Sequence, residues 1–360
     1  MVSASRRGLV VLVACIGCSD QHVEVLKGPV ISDAGNPVAC VDVDFDTGRV
    51  FATVGVAASD SGALAVGLES AGADFSVVSM HVADGGLHLG ARLENAELSL
   101  IGAVASGDQF GVAYYANSRP MLVRFSPSAQ LLEPPMQVPT STTGSAAWGL
   151  RISAAGALLA VVYRTLAATL EFTTWANGAM LVGSDQASAG EVDGLVVDQS
   201  IVVLTQNPNV QPDRLEVQRF SLDGGVINGR TTLARGLFGG RPFACRSVAL
   251  FGRATDAGFG LEGVPFESGA AFKVGLTSGQ SPRLLSGECR GTGATVVFRS
   301  SPTTLRVVDI EVSGSVTQRF DVAPISLNTD FALALEGSSV WLIARHESTG
   351  TTHLIRRCVP

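Results

Sequence analysis

The stretch Ala63-Leu64-Ala65-Val66-Gly67-Leu68 is a short apolar run of small residues, set between polar turn formers and lacking any helical period. Such runs between Gly, Asp, Ser and Asn punctuation read as strands. The same kind of run returns at Phe110-Gly111-Val112-Ala113-Tyr114, Leu158 to Tyr163, Ile201 to Leu204, Gly258 to Leu261, Thr295 to Phe298 and Val340 to Ile343. Anchored on Val66, Val112, Val161, Val203, Phe259, Val297 and Leu342, six steps give a mean spacing of 46 residues. A second series follows the first: Phe75 to Met80, Met121 to Phe125, Leu170 to Phe172, Leu215 to Phe220 and Leu305 to Val308.

A period of about 40 to 50 residues with several strands per unit is the pattern of propeller blades, which stack around an axis because none can bury both faces alone. The expectation is an all-β chain forming a single β-propeller of seven four-stranded antiparallel blades. The step from Val203 to Phe259 is long and that from Phe259 to Val297 short, so the spacing also admits six or eight. An array of two-layer β-sandwiches is the competing architecture. The first unit reads as Arg49 to Ala58, Ala63 to Leu68, Asp74 to Val82 and Leu87 to Leu93, with Asp84-Gly85 as its tightest turn. The last unit supplies only Asp330 to Leu335, Val340 to Arg345 and Thr352 to Cys358. Its missing strand is expected from Val38 to Phe45, so that amino- and carboxyl-terminal strands pair and close the ring. Closure matters because an open sheet edge invites aggregation.

Composition narrows the function classes. Hydrophobic residues make up 46% and charged residues 16% of the 360-residue chain, yet aromatics are only 6%. After Gly17 no apolar run approaches the roughly 20 residues of a spanning helix. A membrane barrel would want aromatic girdles. The net charge of −7, with Lys27 and Lys273 as the lysines, argues against nucleic acid as a partner, since phosphate backbones require clustered cations.

The amino end reads MVSASRRGLVVLVACIGCSD: Arg6 and Arg7, an apolar core from Gly8 to Gly17, then Cys18 and polar residues. That order is an export signal. With a cysteine at its end it resembles a bacterial lipoprotein signal, which implies acylation of that cysteine and a lipid anchor in the cell envelope, the membrane being a partner through that anchor only. Cys15 and Cys18 compete for the position. Cleavage before Cys18 leaves Cys40, Cys245, Cys289 and Cys358, an even set for an oxidising compartment, so Cys18 is preferred and Cys15 is the alternative. The chain divides into a signal peptide at 1–17, a tether at 18–37 and a propeller at 38–360. Ring closure would set Cys40 beside Cys358. Cys245 and Cys289 are about one repeat apart, so Cys40–Cys358 and Cys245–Cys289 are the expected disulfides.

Candidate sites are few. Asp42, Asp44 and Asp46 suggest a calcium loop, but Thr47 takes the glycine place and Thr53 the terminal glutamate place. Their alternation with Val41, Val43 and Phe45 fits a strand with one wet face better. His81 with His88, and His346 with His353, flank turns and would meet across hairpins, each pair lacking a third ligand. No nucleophile elbow, phosphate loop, zinc pair or zincin helix occurs in the mature part. The sequence therefore assigns no catalytic residue and no cofactor. It points to a lipid-anchored envelope protein whose propeller binds a protein or glycan without catalysis. The alternative is a periplasmic or surface hydrolase with acidic residues from separate blades meeting in the central funnel. A purely structural surface protein is a third reading.

Overall fold

The structure, a computed structural model, describes residues 40–358 except 73, 84, 141–149, 165–169, 177–178, 186–191, 198, 208–211, 257, 268 and 278–284. The described residues contain strands and turns and no helix. The first strand, β1 (Val43–Asp46), is followed by β2 (Val54–Ser59), β3 (Gly62–Ala71), β4 (Asp74–Ala83), β5 (Gly86–Ala96), β6 (Gly102–Ser106), β7 (Gln109–Ala116), β8 (Arg119–Phe125) and the two-residue β9 (Met136–Gln137). Then come β10 (Leu150–Ala155), β11 (Leu158–Arg164), β12 (Leu170–Ala176) and β13 (Ala179–Asp185). The third set is β14 (Val192–Val197), β15 (Ser200–Asn207), β16 (Arg214–Ser221) and β17 (Val226–Arg235), and the fourth is β18 (Phe238–Ala244), β19 (Val248–Thr255), β20 (Gly258–Pro265) and β21 (Phe272–Thr277). The chain ends with β22 (Leu285–Arg290), β23 (Gly293–Ser301), β24 (Thr304–Ile310), β25 (Val316–Val322), β26 (Phe331–Glu336), β27 (Ser339–Arg345) and β28 (Thr352–Cys358).

The arrangement is an all-β propeller. Its hydrogen bonding corrects the expectation of seven separate blades. Five sheets are four-stranded, and β2 to β9 form a single eight-stranded sheet. The ladder that joins the two halves of that sheet consists of one residue pair, Ala96 with Ala116. The cause is local: beyond β5 the chain passes the end of β7, where the Glu97 N–H donates to the Tyr115 carbonyl at 2.9 Å. The Ser118 N–H donates in turn to the Glu97 carboxylate.

Around the axis, β2, β6, β10, β14, β18, β22 and β26 each pack against the next, and β26 packs back against β2. β1 supplies the outermost strand of the last sheet by pairing antiparallel with β28, Asp44 opposite Ile355 and Asp46 opposite His353. One anchor of the sequence repeat was misplaced. Phe259 lies on β20, the third strand of its sheet, whereas the other anchors lie on second strands. Leu250 on β19 is the equivalent position, and the steps from Val203 to Leu250 and from Leu250 to Val297 are then 47 residues each. Phe259 misled because it too sits in a Gly-punctuated apolar run.

Burial explains the composition. Inner and second strands are covered on both faces by neighbouring sheets, so β14 is buried along its whole length and β15 nearly so. Outer strands are wet: β17 is largely exposed. The core consists of layers between sheets. In one of them Phe45 of β1, Val56 of β2, Met80 of β4 and Trp341 of β27 pack together, so the closing strand is held by apolar burial as well as by its ladder.

Candidate functional site

The innermost strands enclose an axial cavity of about 380 Å³, walled mainly by Gly, Ala, Val, Leu and Ile. Its polar lining residues include Arg151, Ser153, Arg241, Arg246, Ser286 and Glu288. Arg151 and Ser153 come from β10, Arg241 from β18, Arg246 from the turn after β18, and Ser286 and Glu288 from β22.

Most of these groups have structural partners. No innermost strand ladders with the next, and apart from β2 and β6 they belong to different sheets, so side chains bridge them. Ser153 Oγ accepts the Val196 N–H at 3.0 Å. Asp193, fully buried on β14, accepts the Ala244 N–H at 2.7 Å and the Arg241 guanidinium at 3.1 Å. Ser286 Oγ accepts the Leu333 N–H at 3.2 Å, and Glu288 accepts the Leu335 N–H at 2.8 Å. Asp330, just before β26, accepts the Val54 N–H at 3.0 Å and carries the stitching across the closure. A buried donor left without a partner costs roughly 1–3 kcal/mol. Each of these side chains is therefore explained by the ring it holds together.

The charges in the cavity are unlike those of the whole chain. Arg151 stands 3.8 Å from Asp193 and lies over the Phe243 ring at 5.0 Å. Burial pushes the Glu288 carboxyl up to about 7, against the opposing pull of the Leu335 N–H and Arg151. Glu288 is the one carboxylate among the residues lining this cavity. Carboxylates do gather elsewhere, at the mouth, where Asp60 and Asp108 of the eight-stranded sheet and Glu336 of β26 line a shallow depression of about 530 Å³. Glu336 is engaged there by Trp341 Nε1 at 2.7 Å and by Arg356 at 3.2 Å.

The residues singled out from sequence lie at the closure seam instead. Asp42 accepts the Cys358 N–H, Asp44 pairs with His353 Nδ1, and Asp46 accepts the Gly48 N–H, each at 2.8 Å. Asp42 and Asp44 are thus spent on the seam and Asp46 on the turn that follows β1, and among the described residues no group of three or more His, Cys, Asp or Glu side chains has metal-binding geometry. His81 and His88 are cross-strand partners with ring centroids 5.3 Å apart. His346 and His353 come within 4.9 Å, but not by the expected direct pairing, because His353 is registered with Ala344. The turn after β27 is longer than two residues, which shifts the pair diagonally. Two disulfides are present, Cys40–Cys358 and Cys245–Cys289. They accord with an oxidising, exported environment. Cys15 and Cys18 lie outside the described residues.

Sequence reasoning missed Arg151, Asp193, Arg241 and Glu288. A signal was available for Arg151, Asp193 and Arg241: each is a lone charged residue within an otherwise small or apolar first strand of a repeat, as in Val192-Asp193-Gly194-Leu195.

No protein-family model and no curated protein matches this chain. Solved structures do. A chain of the mitotic checkpoint complex is similar over 93% of this chain and 99% of its own length, at 14% identity and a TM-score of 0.51. The β-propeller domain of the trilobed protease from Pyrococcus furiosus is similar over 85% and 95%, at 10% identity and a TM-score of 0.52. A fucose-specific lectin from Aleuria aurantia follows at 12% identity and a TM-score of 0.47. At these identities the first two likenesses show the fold, a β-propeller, and nothing of the activity.

Proposed function

We propose that this chain is a lipid-anchored envelope protein whose propeller binds a protein or glycan without catalysing a reaction. In this reading residues 1–17 are removed, Cys18 is acylated, and residues 18–37 tether the ring to the membrane.

The observation that carries the binding reading is the use made of the axial polar groups. Ser153, Asp193, Ser286, Glu288 and Asp330 each accept a backbone N–H from the next innermost strand. A propeller hydrolase of the usual two-carboxylate kind would hold a pair about 5–10 Å apart across the substrate. The cavity lining offers Glu288 alone. Two disulfides and the signal-like amino end support export.

The test is calorimetric titration of the purified mature chain with soluble envelope polysaccharides, followed by chromatography of the same mixtures. Binding without product is the expected result. Accumulation of a cleavage product, lost in Glu288→Gln, would overturn the reading in favour of a hydrolase.

A further inference from the structure

We propose that the axial cavity is a binding site for a compact monoanion bearing a single carboxylate, of the size of one acidic sugar. The inference rests on the binding reading above and names the ligand class for its central site. Its volume, about 380 Å³, falls within the ~300–1,000 Å³ usual for small-ligand pockets.

Charge selects the ligand. The chain as a whole carries −7, yet three arginines and one glutamate line this cavity. Arg241 is committed to Asp193. Arg151 is only loosely engaged, 3.8 Å from the same carboxylate, with its guanidinium carbon 5.0 Å from the centre of the Phe243 ring. Arg151 lines the cavity, and a guanidinium matches a carboxylate with two parallel N–H donors. Arg246 is exposed at the end of β18 and adds a second cation toward the mouth. Much of the remaining lining, Val56, Ala103 and Leu333 among it, is apolar and presents no further charge to an uncharged ring.

The mouth limits the charge. Asp60 and Asp108 stand at the same end as Arg246, on turns that follow β2 and β6. They repel polyanions and dianions, while a ligand with one buried negative group passes. Glu288 sets a pH dependence. Facing it are the Leu335 N–H from β26 and Arg151 from β10, while Arg241 of β18, paired with Asp193 of β14, lines the same cavity. Arg246 lies beyond the end of β18. Glu336 of β26 is turned to Trp341 and Arg356, and the β23 residue registered with Glu288 is the uncharged Thr295. Burial holds the Glu288 carboxyl near 7. Below that it is neutral and tolerates an anion beside Arg151; above it, it competes for Arg151.

The experiment is calorimetry on the intact mature chain with galacturonate, galactose and glucose 1-phosphate, at about pH 5.5 and about pH 8.5, either side of the Glu288 titration. Galacturonate should bind at least ~tenfold more tightly than galactose, the scale of one charge-assisted contact. It should also bind more tightly at the lower pH. Arg151→Met should lower galacturonate affinity by at least ~tenfold. Glu288→Gln should keep the affinity and abolish its pH dependence, because the amide oxygen still accepts the Leu335 N–H. Equal binding of galactose and galacturonate, tighter binding of glucose 1-phosphate, or no effect of Arg151→Met would overturn the site. If the site fails while polysaccharide still binds without turnover, the binding reading stands alone. If galacturonides are cleaved, both fall.

Discussion

Cys40 and Cys358 stand 5.6 Å apart between Cα atoms although 318 residues separate them in the chain, and their disulfide fastens the seam where β1 meets β28. Nearly the whole propeller lies inside this one covalent loop. The same seam is held by the Asp42 carboxylate on the Cys358 N–H and by Asp44 on His353. Residues that sequence patterning placed on one strand thus bind the two ends of the ring together.

Loop length ranks the two disulfides. In the chain-entropy model, closing 318 residues stabilises by roughly 5–6 kcal/mol and closing 44 by roughly 4. Cys40→Ser with Cys358→Ser should therefore lower the guanidinium midpoint more than Cys245→Ser with Cys289→Ser. Equal losses, or the reverse order, would contradict the ring-fastening role. Non-reducing peptide mapping should recover the same two pairs.

Asp193 is fully buried and holds both Arg241 and the Ala244 N–H. Asp193→Ala leaves a buried cation and a buried N–H uncompensated, a loss of about 3–5 kcal/mol. Asp193→Asn keeps an acceptor and should cost less. Urea denaturation of both variants checks this, and a loss below about 1 kcal/mol for Asp193→Ala would mean that the pair is not what joins β14 to β18.

Glycine is required where an aromatic ring lies on the backbone. A Cβ at Gly67 would stand 2.2 Å from the Phe51 ring, and one at Gly263 equally close to Phe272, its cross-strand partner. Gly67→Ala should destabilise by about 1–3 kcal/mol, the usual range for overpacking. Adding Phe51→Leu should restore part of the loss in thermal melts. A double variant no better than the sum of its single changes would show that the clash is relieved elsewhere.

Stability should fall with rising pH through Glu288. Its folded value, about 7, lies above the ordinary 4.5 because of burial. A carboxyl raised in this way contributes fully below about 4.5, and that contribution is lost as pH climbs through about 7. Glu288→Gln should flatten this part of the profile of urea midpoint against pH. An unchanged slope would assign the dependence to other groups.

Acylation is expected at Cys18. Cys18→Ser should abolish incorporation of labelled palmitate and release the protein from the membrane fraction, whereas Cys15→Ser should leave both unchanged. Labelling that follows Cys15 instead would move the signal boundary.

Much of the architecture was legible along the chain because it depends on local chemistry. Apolar runs near Val66, Val112, Val161, Val203, Val297 and Leu342 recur at blade spacing, and each needs only its own turn residues to be recognised as a strand. Phe259 went astray because unit length was inferred from similarity of composition, and β20 is as apolar as β19. The fusion of β2 to β9 was invisible because it turns on a backbone hydrogen bond from the Glu97 N–H and a second from the Ser118 N–H to the Glu97 carboxylate, which no residue pattern marks.

By itself the sequence determined the strand repeat, the all-β class, the pairable cysteines and the absence of any local catalytic motif. Each follows from residue type and spacing along one segment. Only the tertiary structure decided that Arg151, Asp193, Arg241 and Glu288 meet. They come from β10, β14, β18 and β22, and a ring brings to its axis residues that are about one repeat apart. It also decided their work: innermost strands that cannot ladder with one another must be stitched by side chains, and the charge left over gives the cavity its character.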